Sequence, residues 1–460
     1  MEIGTKAMDE LLKMAQIDAP LWRRSSEGDW YILNEEEYVK MYPNDIHRKC
    51  EGYFTDATKK TGLVMLDSSS VVSILMNSDK WAETFPSMIK TASTKVVISS
   101  ELKMMDAEFQ VLSPLVPVRK VEFYRFCKRH DDGMWTVVDT PSLIIHEDSL
   151  AFPDYTRLAS GCVVQDMPHG FSKVIWVEHV QYGESAIHHL YRSLIKAGIG
   201  IGAPRWIATF QRQLHRNILQ KSYGVPIGND TAMDANARRY LLKLAEFMTR
   251  AFCAVVCPSS AHYMDENLRI TTSASMADSG EPVDTLVNVT TSLRLLQSPQ
   301  SLFDFLCDKN IRQQWGLANI ALQKEYHIAT GEDGKNVSLL RPTIKGEKWM
   351  LQETRRDELG ALVVIMPIDS LTVENVLKGE DFTNIPFVFS GFAIEPNLVP
   401  PFTPPTSRGP FYDAKALLLT MVKRNLVVHP EIVTHESMKK YSRIMKENVQ
   451  RIKEGLNILD

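Results

Sequence analysis

The sequence predicts an α+β protein made of two tandem copies of one architecture, in which an antiparallel sheet wraps around a long helix. Three observations predict this class. Short alternating segments separated by turn residues are typical of an antiparallel meander. A long helical pattern follows these segments. The same order of elements then returns in the second half, where SPQSLFDFLCDKNIRQQW repeats the pattern of SSSVVSILMNSDKW.

Length and composition limit the classes of protein that the chain can represent. Its 460 residues suggest two or three domains, and 44% apolar with 23% charged residues is typical of globular proteins. A net charge of −4 shows no basic excess, so we expect no direct contact of this chain with nucleic acid. Six cysteines are too sparse for a disulfide framework. No apolar run approaches a membrane span, so we expect a soluble, intracellular protein.

The first half begins with an amphipathic helix that Pro20 ends. A strand and a helical stretch, VVSILMNSDKWAETFP, follow. A helix is then predicted from Glu184 to about Lys221. Between these helices lie six predicted strands: Thr94–Ile98, Ala107–Leu112, Val121–Lys128, Trp135–Asp139, Gly161–Asp166 and Ser172–Val180.

The second half starts after a turn-rich linker at residues 223–233, so the predicted domains are 1–222 and 234–460. A helix is predicted at Asn236–Val255, and the last helix places Met445 and Ile452 on one apolar face. A Pro-rich segment near residues 396–410 predicts a surface loop. The predicted strands are Leu268–Ala274, Leu286–Leu296, Ser338–Leu340, Lys348–Thr354, Ala361–Ile368, Val388–Ile394 and Ala416–Val422.

No catalytic motif is found. The chain has no G-x-S-x-G, P-loop or H-E-x-x-H pattern. Gly198, Gly200 and Gly202 match a loose dinucleotide pattern, but a helix precedes them and Pro204 follows, so we interpret them as small residues that pack closely against a sheet. His188 and His189 are adjacent on a predicted helix and cannot share an ion. We therefore expect neither a metal nor a cofactor.

Charged residues in predicted strands are the informative ones. Glu108 and Arg125 each lie in an alternating, half-buried stretch, where an ion faces solvent or needs a buried partner. Trp176 and Glu178 raise the same question, because both point to the face that carries Val180.

Long segments of the chain resemble a known family. AEFQVLSPLVPVR, VEFYRFCKRHDDGMWTVVD and SGCVVQDMPHGFSKVIWVEHV resemble the START (lipid-transfer) domain of plant class IV homeodomain–leucine-zipper proteins. FDFLCDKNIRQQW and SGFAIEP resemble the region that follows START in that family. The resemblance implies a helix-grip fold around an apolar tunnel with a buried acid–arginine pair, for which Glu108 and Arg125 occupy matching places. The segment from Glu184 to Lys221 would be its lid. The ligand-binding residues that we expect are Glu108, Phe123, Arg125, Trp176, Glu178, Gly198, Gly202 and Trp206.

The resemblance also implies a function. We expect a nuclear, non-catalytic regulatory module of a transcription factor, in which a bound sterol or phospholipid controls stability or activity, and which forms homo- or heterodimers with family members. The sequence shows neither the homeodomain nor the zipper, and whether it is a fragment or a natural protein stays open. One alternative is an interaction scaffold whose collapsed cavity is filled by large residues such as Phe109, Phe123, Tyr124 and Trp176. An enzyme is the third alternative, because helix-grip relatives include cyclases and hydrolases.

Overall fold

The chain forms two compact α+β units, each with its own antiparallel sheet. One unit comprises Met1–Val111 and Val116–His215, and the other comprises Leu112–Leu115, Arg216–Leu398 and Phe411–Asp460. The predicted fold class, two tandem helix-grip domains, is confirmed. The computed structural model describes residues 2–42, 53–142, 155–183, 187–221, 233, 235–258, 261, 263–276, 282–315, 321–331, 336–378, 387–398, 410–428 and 434–458.

The first sheet has ten strands, and seven of them follow the order β3-β10-β9-β7-β6-β5-β4, with a small hairpin, β1-β2, at the β3 edge and β8 paired with β10. All six predicted strands are present, as β4 to β7, β9 and β10. The strands are β1 (Trp22–Arg24), β2 (Tyr31–Leu33), β3 (Tyr53–Val64), β4 (Ile89–Val97), β5 (Leu102–Phe109), β6 (Arg119–Arg129), β7 (Trp135–Pro141), β8 (Tyr155–Arg157), β9 (Ser160–Met167) and β10 (Phe171–Gly183).

Helices cover both faces of this sheet. The first helix packs its apolar stripe, including Leu11 and Met14, on one face, against Phe126 and Val138. The last helix of this domain, α6 (Ala203–Lys221), lies on the opposite face of the sheet, which we call the inner face. The stretch around residue 77, which the sequence predicted as one helix, forms two helices. Asn77 begins the second helix, because its side chain accepts a hydrogen bond from the Lys80 N–H. The helices are α1 (Glu2–Gln16), α2 (Glu35–Met41), α3 (Ser68–Leu75), α4 (Ser78–Thr84), α5 (Arg192–Lys196) and α6 (Ala203–Lys221).

The prediction of one helix from Glu184 to Lys221 is wrong. A glycine turn separates α5 from α6, because Gly198 adopts a φ of 73° that a helix does not allow. A Cβ at Gly198 or Gly202 would lie 2.6 Å from a side-chain atom of Thr58 on β3. The Thr58 hydroxyl accepts a hydrogen bond from the Ala203 N–H (2.9 Å), so β3 caps the start of α6.

The second sheet has nine strands, and seven of them, β13-β19-β18-β17-β16-β15-β14, repeat the order of the first sheet. The seven predicted strands are present, and sequence analysis missed β11 and β14. The Pro-rich loop and the linker fall largely outside the described residues. The strands are β11 (Tyr263–Asp265), β12 (Leu268–Met276), β13 (Pro282–Leu295), β14 (Leu322–Thr330), β15 (Asn336–Pro342), β16 (Trp349–Arg356), β17 (Ala361–Ile368), β18 (Phe389–Pro396) and β19 (Leu417–Val428).

Two long helices lie on opposite faces of the second sheet. The C-terminal helix packs Met445 and Ile452 on its inner face, with Val289 and Met421 in the same core. None of the helices in the described ranges is both long and apolar enough for a membrane span. The helices are α7 (Ala235–Val256), α8 (Pro299–Cys307), α9 (Arg312–Trp315), α10 (Ser370–Leu377), α11 (Pro410–Asp413) and α12 (His435–Gly455).

Gly391 of β18 allows α7 to approach the second sheet. A Cβ at this position would lie 2.2 Å from the ring of Phe252 on α7. We expect Gly391→Ala to lower the free energy of unfolding by about 1–3 kcal/mol, the usual cost of overpacking. In a Phe252→Ala background the ring is absent, so the same change should cost less than about 0.5 kcal/mol. Urea unfolding of the four proteins measures this coupling, and strictly additive costs would contradict the steric explanation.

Candidate functional site in the first domain

Four ions form a continuous chain of hydrogen bonds on the inner face of the first sheet. Arg125 of β6 binds both oxygens of Asp139 on β7, at 2.6 and 2.7 Å, and also donates to the Leu75 carbonyl at 2.5 Å. Arg157 of β8 donates to Asp139 and binds both oxygens of Glu178 on β10 at 2.8 Å. All four side chains are at most 3% exposed. Two guanidinium groups and two carboxylates balance in charge, which is what burial requires.

Aromatic rings surround these ions. The guanidinium of Arg125 lies 4.0 Å from the ring centre of Trp81, and that of Arg157 lies 5.5 Å from Trp206. The Trp176 indole donates to Glu178 at 3.2 Å. Burial acts against the charge of Arg157, but Glu178 and Asp139 outweigh it and raise the pKa of this guanidinium above its ordinary value. Burial raises the pKa of Glu178 above its ordinary value, and the charge and hydrogen bonds of Arg157 act against that shift. Bidentate pairing with Arg157 is therefore what favours the ionised form of this carboxyl inside an apolar wall.

The predicted pair of Glu108 with Arg125 is wrong. In the register of β5 and β6, Arg125 stands opposite Lys103, whereas Glu108 stands opposite Lys120. Glu108 lies five positions after Lys103 on β5. Because side chains alternate along a strand, this odd separation turns Glu108 to the other face and moves it about 16 Å along the strand. Glu108 is half-buried there, and Asp139 is the carboxylate that neutralises Arg125.

The other predicted site residues are found in two places. Glu178 is a member of the ion network, and Phe123, Trp176 and Trp206 surround the network on the inner face. Gly198 and Gly202, together with Gly200, belong to the turn before α6 and contact β3 or α5. A role of any of these residues in ligand binding stays a prediction.

Several buried polar atoms near the network have no hydrogen-bond partner among the described residues. These atoms are the indole nitrogens of Trp81 and Trp206, the Thr209 hydroxyl and one carboxylate oxygen of Asp56. The two indole rings stack, with centres 5.9 Å apart and planes 2° apart. Since buried polar groups in native proteins nearly always find partners, these atoms are the ones that a polar ligand atom or water would satisfy.

Asp56 of β3 is the titratable group of this set. It stands opposite Val180, two positions from the Thr58–Glu178 pair, and so shares the face of Glu178. Burial, and then the charge of Glu178, raises the pKa of Asp56 from 3.8 to about 7. Burial also raises the pKa of the neighbouring Tyr155 phenol. Asp56 therefore changes its protonation near neutral pH.

Sequence analysis missed Asp139, Arg157, Asp56 and Trp81. Asp139 carried a usable signal, because WTVVD alternates and places Val137 and Asp139 on one face. Arg157 lies in a three-residue strand, which is too short for a periodic pattern. Across the described ranges, no group of three or more His, Cys, Asp or Glu side chains is arranged to hold a metal ion.

Comparisons with known proteins agree with this architecture. The START domain model matches residues 2–216, and the model of the PDF2-like, C-terminal domain matches residues 234–458. The chain is 43% identical over 420 residues to homeobox-leucine zipper protein HDG1 of Arabidopsis thaliana, which covers 86% of this chain and 52% of the relative. The chain carries a START domain and a PDF2-like, C-terminal domain, and it is similar over most of its length to plant homeobox-leucine zipper proteins. We therefore call the first domain the START domain and the second the PDF2-like domain.

Other similar proteins cover different shares of the chain. ANTHOCYANINLESS 2 of Arabidopsis thaliana is 39% identical over 419 residues, with 86% of this chain and 52% of the relative covered. Among solved structures, human StAR-related lipid transfer protein 5 has a TM-score of 0.35 and 12% identity, and covers 47% of this chain and 97% of its own. The di-domain ARO/CYC BexL has a TM-score of 0.23 and 8% identity, with 87% and 96% covered. The chain spans about half the length of the curated relatives it matches.

Removing one charge from the network should destabilise the START domain. Asp139→Asn leaves Arg125 without its carboxylate, so we expect the free energy of unfolding to fall by about 3–5 kcal/mol. Glu108→Gln is the matched control, because the same amidation at a half-buried residue outside the network should change stability by less than about 0.5 kcal/mol. Urea unfolding followed by tryptophan fluorescence compares the two. Equal costs would show that the buried network is not what Asp139 supports.

Asp56 should make START-domain stability depend on pH. A carboxyl whose folded pKa is raised stabilises the fold fully below its unfolded pKa, near 3.8, and this contribution is lost as pH rises through about 7. Between pH 4.5 and 7.5 the parent protein should therefore lose about 3 kcal/mol relative to Asp56→Asn. Unfolding free energies measured for both proteins across this range test the sign. Parallel pH profiles would show that Asp56 titrates as an ordinary surface carboxyl.

Proposed function

We propose that the START domain binds an amphiphilic lipid, a sterol or a phospholipid, on its inner face beneath α6. One observation carries this proposal: the stacked indoles of Trp81 and Trp206 are buried beside the ion network with unpaired N–H donors. A ligand oxygen would satisfy these donors. A few fixed polar groups among apolar walls are typical of pockets that orient a ligand.

The chemistry of the network favours binding without catalysis. Asp139 and Glu178 are each bound by guanidinium nitrogens, so neither carboxylate is available as a nucleophile or a general base. Burial raises the pKa of the Cys162 thiol above its ordinary range, which disfavours the reactive thiolate. The proposed role is therefore recognition of a ligand.

Binding would be coupled to stability. A ligand that binds only the folded state stabilises it by about 2.7 kcal/mol at one hundred times its Kd. Occupancy of the START domain could in this way set the abundance or activity of a transcription regulator. We propose that the chain acts in the nucleus as part of a homeobox-leucine zipper protein, in homo- or heterodimers with family members.

A specific observation supports a second candidate, an interaction scaffold with a filled interior. Trp206 lies between two parallel indoles, with ring centres 4.8 Å from Trp176 and 5.9 Å from Trp81, and its ring centre is 4.9 Å from that of Phe85. Such a stack occupies much of the inner face. If these rings do not move apart, the START domain would present surfaces to partners and bind no lipid.

Lipid binding distinguishes the two candidates. We expect the chain, expressed in a eukaryotic host, to retain a lipid in native mass spectrometry, and a fluorescent sterol or phosphatidylcholine to raise its melting temperature. Trp206→Phe removes one hydrogen-bond donor. It should weaken the affinity for whichever lipid the parent binds by roughly three- to tenfold, the effect of losing one hydrogen bond. Trp22→Phe is the control, because that indole donates to the Met14 carbonyl on the α1 side. Recovery of empty protein only, with no thermal shift for either lipid, would instead support the scaffold.

A further inference from the structure

The strand registers of the two domains define equivalent inner positions. In each domain a helix cap, Asp67 or Ser298, follows the last residue of β3 or β13 by three residues. Counting back from these strand ends, Thr58 of β3 corresponds to Val289 of β13. Thr58 stands opposite Glu178, and Val289 stands opposite Lys423 of β19. Lys423 therefore occupies the position that Glu178 holds in the START domain.

Two further members of the network, Asp139 and Arg125, are also replaced in the PDF2-like domain. The same register places Ile365 where the START domain has Asp139, and Gln352 where it has Arg125. Val287 corresponds to Asp56. Asp139, Arg125 and Asp56 thus have no ionisable equivalents on the inner face of the second sheet. The equivalent of Glu178 carries the opposite charge.

Lys423 has no counter-ion among the residues that the structure describes. It is half-buried and points to the same face as Met421, which belongs to the core beneath α12. Within the described part of the chain, no hydrogen bond or ion pair is formed by its ammonium group. Burial, and then the positive charge of Arg451 on α12, lowers the pKa of Lys423. A cation held under these conditions lacks the acceptor that usually accompanies a desolvated ammonium group.

Two amide groups add unpaired donors to this inner face. The side-chain nitrogen of Asn425, the next inward residue of β19, is buried and has no described partner. The same holds for Asn448 of α12, which is 4% exposed and lies on the helical stripe of Met445 and Ile452. Its helix turn leads directly to Arg451, the residue that interacts electrostatically with Lys423. These groups all donate and therefore need a ligand rich in acceptors.

A groove of about 240 Å³ opens beside this position, between α12 and the strands β12 and β13. Apolar side chains of Leu293, Met445 and Val449 line part of it. The rest of its lining is polar and includes Asp265, which is paired with Lys446 at 2.6 Å. Thr291 also lines the groove and stands opposite Met421 of β19. Met421 and Lys423 are consecutive inward-facing residues of that strand. Lys423 is not itself a lining residue, but the register places it one inward-facing residue away from the apolar part of the groove.

We propose that the PDF2-like domain binds an anionic amphiphile, with the acidic head group at Lys423 and the apolar part in the groove between α12 and the sheet. Carboxylate oxygens would accept hydrogen bonds from the ammonium group and the neighbouring amides. This site is separate from the proposed lipid site of the START domain and does not depend on it.

The test is oleate binding to the full chain, measured by calorimetry below the concentration at which oleate aggregates. Oleyl alcohol keeps the tail without the charge, and acetate keeps the charge without the tail. We expect both to bind at least tenfold more weakly than oleate. Lys423→Met should weaken oleate binding at least tenfold, whereas Lys423→Arg should keep it within about threefold. Equal binding of oleate by Lys423→Met and the parent, or of acetate or oleyl alcohol by the parent, would overturn the proposal.

Two controls separate this site from other effects. Trp206→Phe alters the START domain only, so it should leave the Lys423-dependent binding unchanged; loss of that binding in Trp206→Phe would overturn the assignment to the PDF2-like domain. Without ligand, Lys423→Met should melt at or above the parent temperature, because it removes an uncompensated cation. A clearly lower melting temperature would indicate that Lys423 supports the fold instead, and would also overturn the proposal.

Discussion

The alternating chain of Arg125, Asp139, Arg157 and Glu178 is the constraint on which the START domain depends. Each ion comes from a different strand: β6, β7, β8 and β10. A slip of one residue in any of these strands would turn its ion to the face covered by α1 and leave the others unpaired. Buried charges are costly, so such a slip is strongly disfavoured. The network thus specifies the register of the sheet as well as the polarity of its interior.

The two faces of the START sheet differ in the kind of interaction they provide. The α1 face is mainly an apolar core that includes Leu11, Phe126 and Val138, whose contribution depends on buried area rather than direction. Buried Lys59 adds hydrogen bonds to the Ile17 carbonyl and Asp18 on this face. The inner face combines directional ion pairs with stacked indoles that retain unpaired donors. Stability can therefore be supplied by one face while recognition is left to the other. This division is what allows polar atoms to remain unsatisfied in a folded protein.

The elements of the fold could be predicted from sequence because period and turn residues are local signals. The site could be predicted only in part. It depends on which face of the sheet each side chain points to and on which residues stand opposite each other on neighbouring strands. Glu108 lies in a strand beside that of Arg125, but the register places it opposite Lys120. Asp139 was accessible to the same reasoning, since it is the register partner of Arg125 in the next hairpin. The break at Gly198 was missed because its left-handed backbone leaves no trace in apolar periodicity.

The two domains show what the helix-grip frame fixes and what it leaves free. Gly161 of β9 and Gly391 of β18 occupy equivalent places, and each lacks room for a Cβ, although backbone crowds the first and Phe252 the second. Backbone spacing is therefore set by the frame. The inward side chains are not, since Glu178 and Lys423 occupy the same position with opposite charge. Because the frame tolerates either sign, the chemistry of each interior must be deduced from its own residues, and the PDF2-like domain cannot inherit the ligand of the START domain.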